Sequence, residues 1–133
     1  RLEPLRRLLL RGRFPQADGS VDGILVWDAF DFLDKRTAQA VATQLTRVLA
    51  VDGALFGFFS TAHPHEARLT KFVVVDENNL RHRAYSAARM QQAVLQNRDI
   101  IRLFDSLRVS DSFLLKSNIR EILFRKPSYL AAP

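Results

Sequence analysis

The stretch VDGILVWDAFDFLDKRTAQAVATQLTRVLAVDGALFGFFS, residues 21–60, decides the fold. Within it, Ile24 to Trp27 is an unbroken apolar run bounded by turn residues. Such a run predicts a strand covered on both faces, as in a parallel sheet. Asp28 stands at its carboxyl end. Asp34 predicts a helix cap, and Lys35 to Ala50 place Ala38, Val41, Ala42, Leu45, Val48 and Leu49 on one helical face. Val51 to Gly53 then reads as the close of that helix, and Ala54 to Phe59 as a second apolar strand. Strand, helix and strand in this order make a right-handed crossover unit.

Upstream, Leu2, Leu5, Leu8 and Leu9 recur at helical spacing, with Pro4 tolerable in a first turn and Gly12 as the stop. Asp18-Gly19-Ser20 supplies turn chemistry before the first strand. Downstream, Thr70 to Asp76 and Leu80 to Tyr85 read as an inserted hairpin. Ser86 to Gln96 fits a helix or an extended chain. Asn97 is the expected cap of a helix beginning at Arg98, with Ile100, Ile101 and Phe104 buried. RVSDSFLL (108–115) and IREILFRK (119–126) form a closing antiparallel hairpin, and Pro127 to Pro133 a loose tail. The 133 residues amount to one domain, able to bury roughly two-thirds of its unfolded surface.

Composition removes whole classes of function. With 47% hydrophobic and 26% charged residues, the chain is globular rather than disordered. No apolar run approaches the ~18–20 residues of a membrane span, and no signal-peptide pattern opens the chain. The absence of cysteine excludes disulfides, zinc-thiolate sites and thiol nucleophiles, and fits a reducing, cytoplasmic compartment. Twenty basic residues against fourteen acidic give +6, which permits a nucleic-acid partner without favouring one. Arg1, Arg6, Arg7, Arg11 and Arg13 cluster, but no aromatic platform interleaves with them as single-strand binding would favour; a solvated face is the simpler reading. No Ser–His–Asp grouping or phosphate loop supports a hydrolase or a kinase.

The order of parts resembles the second half of the class I S-adenosylmethionine-dependent methyltransferases. DGSVD (18–22) is similar to the turn before that family's fourth strand, and RVLAVDG (47–53) to the helix end before its fifth. RVSDSFLL and IREILFRK match the antiparallel sixth and seventh strands. The resemblance covers roughly Asp18 to Lys126. It implies an α/β fold: a partial Rossmann-like sheet, strands four to seven, with an antiparallel carboxyl-terminal hairpin and an inserted hairpin. The family's opening strand, its Gly-rich turn and its ribose-holding acid have no counterpart among Gly12, Gly19, Gly23, Gly53 and Gly57. Those missing parts need on the order of a hundred further residues, so the chain reads as the carboxyl-terminal portion of a longer enzyme, inactive in isolation.

The resemblance implies S-adenosylmethionine as cofactor and an unspecified methyl acceptor. It puts Trp27 and Asp28 beside the transferable methyl. Asp28 is the candidate catalytic residue, orienting an acceptor or taking its proton, with helix-start capping as the alternative. Phe30 and Phe32 are candidate pocket walls or core residues. His63 and His65, with Glu66 beside them, follow the second strand and read as acceptor contacts or an ordinary loop; no metal site is expected. His82 reads as a surface strand residue. Asn97 and Arg98 read as a cap and a salt-bridge partner. By resemblance the absent first strand lies beside the fourth, so the expected partners are the missing amino-terminal half or a homodimer through Ile24 to Trp27. Beside the methyltransferase stand two alternatives: a non-catalytic module keeping the fold, and a basic nucleic-acid-binding domain.

Overall fold

The computed structural model describes residues 12–61, 70–84, 95–116 and 118–128. Gly12 and Arg13 are helical and Phe14 is not, so helical structure ends within a residue of Gly12; the helix expected over Leu2 to Leu10 lies outside the described residues. Strand β1 (Val21–Trp27) leads through a 3₁₀ turn (Ala29–Phe32) to helix α1 (Lys35–Val48) and strand β2 (Leu49–Ser60). The hairpin β3 (Thr70–Asp76) and β4 (Asn79–Ala84) follows. Helix α2 (Asn97–Leu103) and strands β5 (Arg108–Leu114) and β6 (Ile119–Arg125) complete the order. The main sheet runs β1-β2-β6-β5, and β3-β4 is a separate pair. β1 and β2 are parallel across the α1 crossover, while β6 is antiparallel to both β2 and β5. The fold is therefore a partial Rossmann-like sheet, as expected.

Local chemistry explains the α1 boundaries. The Asp34 carboxylate accepts from Thr37 N–H at 2.8 Å, satisfying one orphan donor of the first turn. At the other end, Lys126 Nζ donates to the carbonyls of Thr46 (2.9 Å) and Leu49 (2.7 Å). A cation on the last carbonyls does there what a glycine cap would otherwise do. Val51-Asp52-Gly53 consequently does not close the helix. It is an outpouching within β2: pairing steps from Val21↔Leu49 to Gly23↔Ala54, and Asp52 takes φ 65°. Glycine is required at 53, where a Cβ would stand 2.7 Å from the Ala50 carbonyl oxygen. Arg47 pins the entry loop, donating to Asp18 Oδ1 (2.7 Å) and to the carbonyls of Gln16 and Phe14 (2.9 Å each).

One core sits between the helices and one sheet face. Ala38, Ala42 and Leu45 of α1 and Ile100 and Leu103 of α2 pack with Val26, Leu55, Phe59, Ile122 and Phe124. Ile101, expected in this core, is instead 39% exposed, because the helix turns Leu103 inward. The cap of α2 is Gln96 rather than Asn97; its N–H donates to Asp99 Oδ2 at 3.3 Å, half of a capping box. The covering of β1 on both faces is also corrected. Both described helices lie on the Val26 side, so Leu25 on the other side is 57% exposed. Tyr85, residues 86–94 and most of the expected tail lie outside the described residues.

The side chain of Val26 lies over Gly57 in β2. A Cβ at position 57 would lie 2.5 Å from Val26 Cγ2 and 3.1 Å from the Phe59 ring. Gly57→Ala should therefore destabilise the fold by about 1–3 kcal/mol through overpacking. In a Val26→Ala background the same substitution should cost markedly less, as measured by denaturant melts of all four members of the cycle. Equal costs in both backgrounds would place the clash elsewhere.

Candidate functional site

Parallel pairing sends the carboxyl ends of β1 and β2 to the same edge of the sheet, where open α/β sheets bind their ligands. At that edge β1 does not end smoothly. Its pairing advances from Leu25↔Phe56 to Trp27↔Gly57, so two steps on β1 match one on β2, a bulge. Trp27 holds φ 48°, a left-handed conformation that costs a bulky side chain about 1–3 kcal/mol. Its ring stacks on Phe58 with centroids 5.8 Å apart and planes at 12°. The strain and the bulge together re-aim the chain, so that Asp28 opens the 3₁₀ turn over the end of the sheet.

Asp28 is half-buried, and its side chain makes no capping hydrogen bond to that turn. Helix capping falls to Asp34, further along the connection. Phe30 is fully buried, edge-on to Phe104 at 5.3 Å and tilted against Phe59 at 6.1 Å, which makes it a core residue rather than a pocket wall. Phe32 is half-buried. His63 and His65 lie outside the described residues. Among the described residues no group of three metal-ligating side chains occurs.

Sequence reasoning missed Asp31. It lies in the 3₁₀ turn beside Phe30, 8% exposed, and accepts a hydrogen bond from Ser60 N–H at 3.0 Å. That bond straps the segment leaving β1 to the last residue of β2. The exit of β2 is tied further: Thr61 donates from N–H (2.8 Å) and Oγ1 (2.6 Å) to the Asn118 carbonyl in the β5–β6 turn. The signal in the sequence is a carboxylate set between two phenylalanines, Phe30-Asp31-Phe32. An acid in such a place is either buried with a partner or misplaced.

Burial pushes the Asp31 carboxyl up to about 7; the Ser60 N–H opposes that rise and the neighbouring Asp28 charge adds to it. The unfolded chain holds the same group near 3.8. The folded state therefore binds this proton more tightly, and the stability it contributes is full below about pH 4 and lost as pH rises through about 7. Asp31→Asn keeps an oxygen for Ser60 N–H and removes the titration. Thermal melts between about pH 4 and about pH 8 should show the wild type losing stability across this window and the Asn variant losing much less. Parallel curves would mean that Asp31 is ionised throughout.

No protein-family model matches the sequence, and no curated protein matches it either. Solved structures do. A SAM-dependent methyltransferase from Aquifex aeolicus aligns with TM-score 0.53 at 12% identity, over 84% of this chain and 49% of that one. The 1,6-didemethyltoxoflavin-N1-methyltransferase of Burkholderia thailandensis, solved with bound 1,6-didemethyltoxoflavin and S-adenosylhomocysteine, gives 0.56 at 13%, over 84% and 46%. The glycopeptide N-methyltransferase MtfA, complexed with S-adenosylmethionine, gives 0.52 at 10%, over 80% and 57%. The chain spans about half the length of the structures it matches. With an antiparallel β6 set between the parallel pair and β5, the fold is that of the class I S-adenosylmethionine-dependent methyltransferases, in its carboxyl-terminal part.

Proposed function

We propose that this chain forms the carboxyl-terminal part of an S-adenosylmethionine-dependent methyltransferase, with the end of β1 as one wall of the reaction crevice. The observation that carries this reading is the strained turn at Trp27 and Asp28, standing at the carboxyl edge of a sheet with the methyltransferase fold. Strain kept at the ligand-binding end of a strand supports a geometry needed for a ligand.

The residues present fit only part of the cofactor. The connection from Trp27 to Asp34 contains no glycine, so the backbone offers no close approach of the kind a Gly-rich turn allows. S-adenosylmethionine, when bound, would supply an electrophilic methyl group on a sulfonium, whose transfer to an acceptor lone pair would leave the neutral thioether and require the acceptor to lose a proton. Trp27 contributes an apolar ring held by Phe58, which keeps water from that side. Asp28 orients the acceptor and takes the proton at its carboxylate. Asp31 does not touch the acceptor; buried against Ser60, it holds the Asp28 segment against the end of β2. The acceptor's identity lies with loops whose sequence carries no readable code.

Two measurements test this reading. In a methyl-transferring preparation that contains this chain, Asp28→Asn should lower turnover at saturating substrate while leaving the melting temperature nearly unchanged. Unchanged turnover removes Asp28 from the reaction. The second concerns assembly. β1 is an edge of the described sheet, its Ile24 to Trp27 segment carries neither proline nor lysine, and Leu25 is exposed. An apolar edge of this kind recruits a partner strand. Light scattering over a concentration series should show self-association, suppressed by Leu25→Lys or by adding a separately made amino-terminal half. A monomer at every concentration would mean that β1 is already covered.

A further inference from the structure

The β3–β4 hairpin forms a sheet of its own, and its register divides it into two unlike faces. Position 71 pairs with 83 and position 73 with 81, so Lys71, Arg83, Val73 and Arg81 occupy one face of the ribbon. Phe72 paired with His82 and Val74 paired with Leu80 occupy the other. The first face thus holds three cationic positions and no acidic one. The hairpin's own acids stand apart from them. Asp76 and Glu77 sit at the turn, and the Asp76 carboxylate is engaged there, accepting from Asn78 N–H and Asn79 Nδ2 at 2.8 Å each. Those bonds hold Asp76 below the usual carboxylate range, so it stays ionised at the tip.

We propose that this face is a contact for a nucleic-acid backbone, with the cationic positions 71, 81 and 83 serving its phosphates. The array favours a repeating polyanion over a single anionic group. Positions 81 and 83 lie two residues apart on a strand, about 6–7 Å, and 71 lies about 5 Å across the ladder from 83. On this face Val73 is 44% exposed and Arg81 is exposed as well, so at the 73–81 pair the ribbon faces outward. The chain's +6 charge adds long-range attraction for the same partner. A membrane surface fits less well, because the turn that would enter it is acidic. Methyl transfer is not a premise here; a failure of either proposal leaves the other standing.

The test is fluorescence anisotropy of the whole chain with labelled duplex DNA and with single-stranded RNA of equal length, over a range of salt. The double variant Arg81→Glu with Arg83→Glu should weaken binding to at least one of them about tenfold or more. It should also reduce the slope of log affinity against log salt by about two, near 0.7–0.9 for each phosphate no longer engaged. The pair Lys35→Glu and Arg36→Glu on the exposed start of α1 changes net charge equally and should leave both readings nearly unchanged. Arg81→Gln, which keeps a polar strand residue, should give a smaller loss in the same direction and guards against misfolding of the double variant. Equal losses in the hairpin and helix variants would overturn the proposal, because net charge would then be the cause. So would an absence of binding to either nucleic acid, or tighter binding to an acidic peptide.

Discussion

The described fold depends on how closely β1 can lie against β2 at Val26 and Gly57. β2 is the shared strand: it holds β1 in parallel on one side and β6 in antiparallel on the other. A side chain at position 57 would push Val26 out of the core it shares with Phe59, and with it the strand that leads to Trp27. The bulge that brings Trp27 opposite Gly57 uses the same gap. The packing of Val26 and the pairing of Trp27 thus meet at one residue without a Cβ.

The carboxyl edge has a division of labour between its two acids. Asp28 is half-buried at the mouth of the 3₁₀ turn; Asp31 is buried within it and engaged by a backbone amide. They are near enough for the charge of one to raise the proton affinity of the other. The same short turn sets one carboxylate half-buried at the end of the sheet and uses the other to fasten itself to β2.

Much of this was legible in the sequence where the cause is local. The apolar runs at Ile24 to Trp27 and Ala54 to Phe59 mark their strands, and Asp34 its cap, because each is set by neighbours in the chain. What the sequence hides depends on distant residues. The Val51-Asp52-Gly53 pouch follows from Lys126, which reaches back to cap α1 from the far end of the sequence. Asp31 is buried beside Phe30, whose ring partners Phe59 and Phe104 arrive only when β2 and α2 pack. The shift of the α2 cap from Asn97 to Gln96 is local by contrast: Asp99, three residues on, accepts from Gln96 N–H. β1 reads as doubly covered because its composition suits burial on both faces, whereas both described helices lie on one. Trp27 and Asp28 stand out in the sequence, but the bulge and strain that set their direction leave no mark in composition.

The stacked ring at the end of β1 has an optical consequence. The chain has a single tryptophan, and it lies half-buried against Phe58 at the candidate site. Its emission therefore carries light from one place in the molecule, without contribution from a second indole. A shift toward shorter wavelength would report drying of that place by a ligand or a partner strand, and a shift toward longer wavelength its opening to water. The protein carries its own probe at the residue whose backbone bears the strain.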